Sequence, residues 1–540
     1  MSFRARAFVS LVTLSALALF VACSSNSINR GTAPPSGAFS NSNLNGTYVF
    51  SVTGSDSTNG AFQTIAGTFT ANGSGGISGG TLEINDPATG FLAPTAITSG
   101  NYSVGPDGRG GLLGGGGMNL QTSAGTLTFQ FVLSSTQHGL ITEFDGNGTG
   151  SGTLDLQSSV SQASIGGQSY AFNVTGVDST GAAGFGTVGA LTLDASGNVV
   201  TGLADFNENG NSLVCGQLGV ACSVTGGSIN LSTVPGTATI TTTNSTLSTL
   251  SFDVYPVDST HLKFIETDGL AFSAGDAFTQ SSSIPVGNNV FTVSGFDSLA
   301  GGPFTSAGLV VTDGNGAITN ASIQDVNDFG NVLNATPFTG TYSALTGGRS
   351  VLTLTGFVNG NNGTGCTNCQ FAAYPSSGGL QLLEIDDAGT TAGVAYPQSA
   401  TSLASGEGYG MNLASVNFGN GGVEEDDISE FVNTNGSFAG LIDFNDGGSV
   451  TAAQHFSSTY TADSTVPGRG VIAPGTNGFN LVSYVVDSST AVFVEVDNNP
   501  VQVGIGSFAV QNASASSNAA ATHLKVLRLI RGAKNAAKRR

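Results

Sequence analysis

Three of the few arginines in this chain stand at one recurring place. Asp107-Gly-Arg109-Gly, Gly347-Gly-Arg349-Ser and Pro467-Gly-Arg469-Gly each precede, by about one hairpin and a half, a Glu that itself recurs. A guanidinium beside a carboxylate forms a planar, two-bonded pair that fixes geometry or takes up a polar ligand. The expected pairs are Arg109–Glu143, Arg349–Glu384 and Arg469–Glu495, each within its own unit. One copy has Val234-Pro-Gly-Thr237 in place of the arginine. Lys263, three residues before Glu266, falls on the opposite strand face from it and is not expected to substitute.

The recurring Glu opens an acid–hydrophobe–acid triplet: Glu143-Phe-Asp145, Glu266-Thr-Asp268, Glu384-Ile-Asp386 and Glu495-Val-Asp497. Two carboxylates about 7 Å apart on one strand face suit glycoside hydrolysis in principle, but four near-copies do not make one cleft. A second triplet reads Glu83-Ile-Asn85, Asp205-Phe-Asn207, Asp325-Val-Asn327 and Asp443-Phe-Asn445. Asp205-Phe-Asn207-Glu-Asn209-Gly210 matches the opening of a calcium-binding EF-hand loop, yet Gly216 stands where the closing bidentate Glu belongs. Asx turns explain it and the Asp145-Gly-Asn147 and Asp313-Gly-Asn315 segments, leaving calcium as the minor alternative and no cofactor expected. His138 and His261 both precede the recurring Glu by five residues and read as exposed hairpin residues, since Gly379 and Thr490 replace them later. No nucleophile elbow, zinc-protease helix or phosphate loop is present. The chain is not expected to be an enzyme.

Cysteines set the compartment. Residues 1–22 carry Arg4 and Arg6, an apolar run and a small-residue exit, the order of a secretory signal. Phe20-Val21-Ala22-Cys23 resembles the lipobox of bacterial lipoproteins. That resemblance implies lipidation at Cys23, a membrane partner through that lipid and, with Ser24 rather than Asp next, an outer-membrane or cell-surface address. The apolar run is short of the roughly 20 residues a membrane helix needs. Export makes Cys215–Cys222 and Cys366–Cys369 disulfide candidates. The Cys366-Thr-Asn-Cys369 spacing also fits redox or zinc chemistry, but a strand-like segment follows where a helix would lower the thiol pKa.

Charge is unevenly placed. Seven of the 14 Lys and Arg (Lys525, Arg528, Arg531, Lys534, Lys538, Arg539, Arg540) lie in the last 16 residues. Residues 24–514 hold five basic side chains (Arg30, Arg109, Lys263, Arg349, Arg469) against 35 acidic ones, a net charge near −30. Such a surface repels nucleic acid and favours basic partners. In the tail, Leu524, Leu527 and Ile530 recur at helical spacing among the cations, a pattern suited to an anionic membrane or to the acidic body.

These residues need elements to hold them, and the repeats name the elements. The Glu of the first triplet recurs at spacings of 123, 118 and 111, and the Asn of the second at 122, 120 and 118. A third signature, Gly54-Ser-Asp56-Ser57, returns as Gly176-Val-Asp178-Ser179 and Gly295-Phe-Asp297-Ser298, and is lost as Ser415-Val-Asn417. Short Val, Ile, Thr and Phe runs broken by Asn-Gly, Asp-Gly and Gly-Gly predict an all-β chain. In the first unit strands are expected at 48–54, 65–71, 77–85, 100–104, 110–113, 126–133, 139–145 and 152–157. Eight strands in succession predict a meander closed into a small barrel, four times in a row, at 44–158, 165–282, 286–403 and 407–514. The architecture loosely resembles avidin- and lipocalin-like barrels; a propeller with two blades per repeat is the alternative. Residues 23–43 read as a flexible tether, the Ser-rich 157–165 and 280–285 as linkers, and 515–540 as a basic tail. The expected function is a lipid-anchored surface module that binds a glycan or a surface protein. The alternatives are an envelope spacer and, last, a hydrolase of extracellular polymer.

Overall fold

A computed structural model describes residues 34–514 except 112–116, 213, 214, 216–219, 361 and 362. Cys23, the signal segment and the 515–540 tail lie outside the described residues. The chain is all-β and forms four antiparallel eight-stranded barrels. In barrel 1 the strands are Asn45–Asp56, Phe62–Asn72, Gly76–Asp86, Gly90–Tyr102, Met118–Thr122, Gly125–Leu133, His138–Phe144 and Gly148–Leu156. The first and last close the wall, from Tyr48 opposite Leu156 to Asp56 opposite Gly148. Barrel 2 closes through Ser169–Asp178 on Ala271–Thr279 and carries the two-residue strand Asn211–Ser212 as an extra flap. Barrels 3 and 4 close through Gly287–Asp297 on Gly389–Pro397 and Glu407–Asn417 on Gln502–Val510.

Two strand expectations in barrel 1 are corrected. The fourth strand starts at Gly90, ten residues before the expected 100–104, because the Gly79-Gly80 and Ala93-Pro94 irregularities hide its alternation. Gly110 makes only an isolated bridge to Val104, and the fifth strand is Met118–Thr122.

Tight hairpins follow from residues that accept positive φ. Asn435 (φ 52°) and Gly436 (φ 86°) turn Val423–Thr434 into Ser437–Asp446, the two-residue connection whose twist matches a right-handed hairpin. Inward positions are filled with phenylalanine, which carries the aromatic bulk in a chain without Trp. In barrel 4 the Phe431 ring lies 4.5 Å from Phe438 and 5.3 Å from Phe508. Barrel 1 centres on Phe50, Phe69 and Phe129. An eight-stranded barrel is just wide enough to be filled by side chains. In barrel 3 a void of about 20 Å³ remains among Phe291, Phe338, Phe357 and Phe371, about the size of one water.

The barrels are not beads on flexible joints. Residues 162–165, within an expected linker, form a short helix whose Ile165 is buried in the core of barrel 2. Outer strand faces are apolar as well, and each neighbouring pair of barrels buries its own cluster. Val49 and Ala66 meet Tyr255, Val257 and Ile265; Ala171, Val188 and Ala190 meet Ala372, Tyr374 and Ile385. Val290, Ala307 and Leu309 meet Val482, Tyr484 and Val494. The fourth cluster joins Val132 and Leu140 of barrel 1 to Ile428 of barrel 4. The four barrels therefore close into a ring.

Candidate functional site at the barrel seams

The recurring polar residues converge on the four seams. Asp205 and Asn207 are two apart on one strand, so both face outward while Phe206 enters the core. The Asn amide does two jobs. Asn207 accepts from its own turn at Gly210 N (3.1 Å) and donates to the carbonyls of Glu384 (2.8 Å) and Gly389 (3.0 Å) in the next barrel. Asn327 donates to Glu495 O (2.9 Å) and Gln502 O (2.6 Å), and Asn445 to Glu143 O (2.7 Å) and Gly148 O (2.8 Å). Asn85 reaches Glu266 O at 2.6 Å. One contact thus repeats from barrel 1 to 2, 2 to 3, 3 to 4 and 4 back to 1. Each barrel offers its neighbour a different face from the one it receives on, a head-to-tail interface that makes a ring when the rotation closes.

The carboxylates beside those asparagines receive the arginines, and this corrects the expected pairing. Arg349 Nε and Nη2 donate to Asp205 Oδ2 (2.7 Å) and Oδ1 (2.6 Å), a fork-to-fork pair. Arg469 holds Asp325 in the same way at 2.8 and 2.7 Å, and its Nη1 reaches Asp463 at 2.7 Å. Arg109 Nη1 donates to both oxygens of Asp443, at 2.8 and 2.6 Å. The recurring partner of each arginine is thus the Asp of the adjacent barrel, not the Glu of the same unit; Asp463, from the arginine's own barrel, is an additional partner of Arg469. Tyr374 and Tyr484 add a hydroxyl donor to Asp205 and Asp325. Asp325 and Asp443 also accept the amides of Ala335 (2.9 Å) and Ala453 (2.7 Å), which stand at φ 50° and 54° where the ladder slips. The carboxylate thereby holds a bulge that a β-carbon disfavours.

The recurring Glu side chains turn into their own barrels. Glu143 accepts from Gln63 Nε2 (3.0 Å), Glu384 from Asn359 (2.8 Å) and Thr391 (2.9 Å), and Glu266 from Ser273. Burial, with the neighbouring Asp of each triplet, raises Glu143, Glu266 and Glu384 well above the usual carboxylate range; Glu495 rises likewise from burial, then from Glu425 and Asp497. The second acid caps a strand: Asp145, Asp268, Asp386 and Asp497 accept the amides of Thr128, Ser251, Gln370 and Asn480 at 2.6–2.9 Å.

Seam 1–2 is built differently. Unit 2 has no arginine at the shared position and unit 1 has Glu83 where the others have Asp. Tyr255 donates to Glu83, whose pKa burial raises to about 8. The cation is Lys263, whose Nζ lies 3.3 Å from both Asp155 of barrel 1 and Asp276 of barrel 2 and donates to Thr153 at 2.9 Å. Burial works against its ammonium; Asp276 and Asp155 more than offset this and leave its pKa raised. His138 meets Asp155 at 2.7 Å, and His261 meets Asp276 at 2.9 Å while stacking 4.3 Å from Phe278. The two histidines expected at exposed hairpins are thus 5% and 2% exposed, ends of one network across the seam.

Each seam therefore holds one cation: Lys263, Arg349, Arg469 and Arg109 from seam 1–2 to seam 4–1. These four are all the lysine and arginine among the described residues. Three are at most 6% exposed and the Arg349 side chain is 11% exposed. Of the 35 acids 19 are buried, which leaves 16 in contact with water, and of these Asp463 alone has an ion pair with a described lysine or arginine, to Arg469.

Disulfides join Cys215 to Cys222 and Cys366 to Cys369. Among the described residues no group of three or more His, Cys, Asp or Glu is arranged to hold a metal ion. Asp205 and Asn207 of the EF-hand-like segment are engaged in seam 2–3. Asp145 and Asp313 accept their own turn amides, from Asn147 at 2.8 Å and from Asn315 and Ala317 at 2.7 and 2.9 Å. The arrangement is suited to holding barrels rather than to bond-making.

No protein-family model and no curated protein matches the sequence. Among solved structures, a double mutant of the vaccine antigen Transferrin Binding Protein B from Haemophilus parasuis Hp5 has a TM-score of 0.18 and 9% identity, over 71% of this chain and 82% of that one. Intact Ap-TbpB gives 0.17 and 10%, over 69% and 83%. The isotype 1 protein from serogroup B Neisseria meningitidis gives 0.18 and 8%, over 69% and 84%. Likeness at this level carries no implication for the present chain.

Proposed function

We propose that the chain is an exported, lipid-anchored binding module that presents a rigid acidic ring to a basic protein partner at the cell surface. The observation that carries this reading is the segregation of charge: every described cation is spent on a seam, so the exterior is acidic without exception. The void within barrel 3 is about one water in size, which favours recognition on the outside of that barrel. Exposed large apolar residues are aliphatic and scattered, among them Val200, Val234, Val286 and Leu299. The sugar-stacking platform that a glycan binder uses has no aromatic residue to build it among them. Nor does a ring suit a spacer, because a chain that enters and leaves at one seam adds little length between its ends. Lipidation at Cys23 and an outer-membrane or surface address complete the proposal.

The test is binding of the purified chain, without its signal, to arrays of basic and acidic peptides and of glycans. Binding confined to basic peptides and weakened by salt is expected. Glycan hits that persist at high salt, with no peptide binding, would overturn it.

A further inference from the structure

The two ends of the described chain are fastened to each other, and a cleft opens beside the clasp. Ser36 Oγ donates to Gln511 O at 2.5 Å, and Asn43 Nδ2 to Ala513 O at 2.8 Å. Gln511 Nε2 in turn donates to Asp107 O (2.6 Å) and Leu133 O (3.1 Å), and Asn512 N to Ser134 O (2.7 Å). The chain thus enters barrel 1 and leaves barrel 4 at one corner, on the closing seam. The cleft there has a volume of about 420 Å³, within the range of small-ligand sites. Pro35 and Ser36 line it from the entering segment, and the remaining lining comes from barrel 4 and the segment leaving it. Those parts are held by hydrogen bonds. Ala404 O accepts from Asn433 Nδ2 (2.9 Å) and Tyr409 Oη (3.0 Å), and Val510 N donates to Ser489 O (2.7 Å), next to Ser488. The cleft is therefore preformed.

We infer that this cleft binds an organic cation: a guanidinium or ammonium head on a short hydrocarbon stem, the form of an arginine or lysine side chain. Glu407 is the one charged residue of the lining, and the described lysine and arginines are all engaged at seams, so none of them serves it. Pro35, Ala404 and Val510 offer apolar surface to a stem, while Ser488 and Asn512 bring polar side chains to a head with several N–H donors. Gln511, only 1% exposed, belongs to the same lining, and its Oε1 is a buried acceptor with no hydrogen-bond partner. A carboxylate repels an anion. One carboxylate is also too few charged ligands for a bare divalent ion, and no lining residue is aromatic, as a sugar or base would need for stacking.

That the head belongs to a protein partner rests on the function proposed above; that the cleft takes such a head does not, and the experiment separates them. The full chain without its signal is titrated with acetyl-arginine amide and with its neutral isostere, acetyl-citrulline amide, and followed by ligand-observed NMR. Binding of the arginine compound is expected, with the citrulline compound and the Glu407→Gln chain each weaker by at least about tenfold. Ser488→Trp, a change at an exposed position of the lining, should block the cleft without unfolding the chain, as an unchanged melting temperature checks. Asp387→Asn, at an exposed acid outside the cleft, should leave binding as it was. Absence of binding would overturn the inference, as would equal binding by the Glu407→Gln chain or an equal loss in Asp387→Asn. Basic peptides then identify the source of the head. Peptide binding lost in Glu407→Gln assigns it to a protein partner. Peptide binding kept, with only the arginine compound lost, assigns it to a free cation. Failure of the basic-partner reading shows separately, as no peptide binding by a chain that still takes the arginine compound.

Discussion

Arg109 and Asp443 lie 334 positions apart in sequence and 2.6 Å apart in space. That one contact joins the first barrel to the last, and with Asn445 on the carbonyls of Glu143 and Gly148 it converts a row into a ring. The apolar cluster at this seam is small, so polar contacts carry more of it. Thr149 and Ser151 donate to Asp426 at 2.8 and 2.7 Å, and Ser55 to Glu424 at 2.6 Å.

Removing one partner of that pair leaves a charge buried without its counterion. Arg109→Met should cost about 3–5 kcal/mol, and Asp443→Leu on top of it should restore part of the loss. A double-mutant cycle read by urea unfolding checks the coupling; additive losses would show that the pair does not hold the seam.

The asparagines should rank by what they hold. Asn445→Ala strands two carbonyls and a turn amide and should cost about 2–3 kcal/mol, whereas Asn85→Ala, with one cross-barrel carbonyl, should cost about 1. Thermal unfolding of the two variants side by side checks the order.

Stability should depend on pH in an unusual direction. Burial raises Glu83 and Glu430 to about 8, and Asp328 to about 7 with help from Asp297. A carboxyl whose folded pKa exceeds its unfolded value binds its proton more tightly when folded. Its stabilisation is complete below about pH 4.5 and is lost as pH rises through about 8. Below that window the lowered carboxyls Asp178, Asp194 and Asp313 act oppositely. The melting temperature should therefore be higher near pH 5 than near pH 8, and Glu83→Gln should shrink the difference.

Lys263→Met should open seam 1–2 more than any other single change there. It leaves Asp155 and Asp276 facing each other without a cation, at a cost of about 3–5 kcal/mol. Chemical unfolding checks the loss; hydrogen exchange should show it concentrated on His138–Phe144 and His261–Glu266.

Much of the fold was readable because a repeat advertises itself. The triplets recur at nearly one period, and the turn residues between them leave few topologies open. What a repeat hides is whether partners belong to the same unit or the next, since every unit supplies both at the same spacing. That is why Arg109 was matched to Glu143 when its partner is Asp443. The chain did hold a clue in its exceptions. The one unit without the arginine, unit 2, follows the one unit with Glu83 in place of Asp, and at that seam Glu83 keeps the recurring tyrosine, Tyr255, while the cation comes from Lys263. Lys263 does lie on the opposite strand face from Glu266, but that face is the seam; the two histidines fall inside for a related reason, since an outward strand position looks exposed until another barrel covers it.

The burial of the four body cations also decides how the protein meets trypsin. Cleavage needs an accessible Lys or Arg in a segment that can unfold locally, and residues 34–514 offer none. Digestion of the native chain should leave residues 34–514, the four barrels, in one piece. The same residues that lock the seams make the ring invisible to the commonest protease specificity.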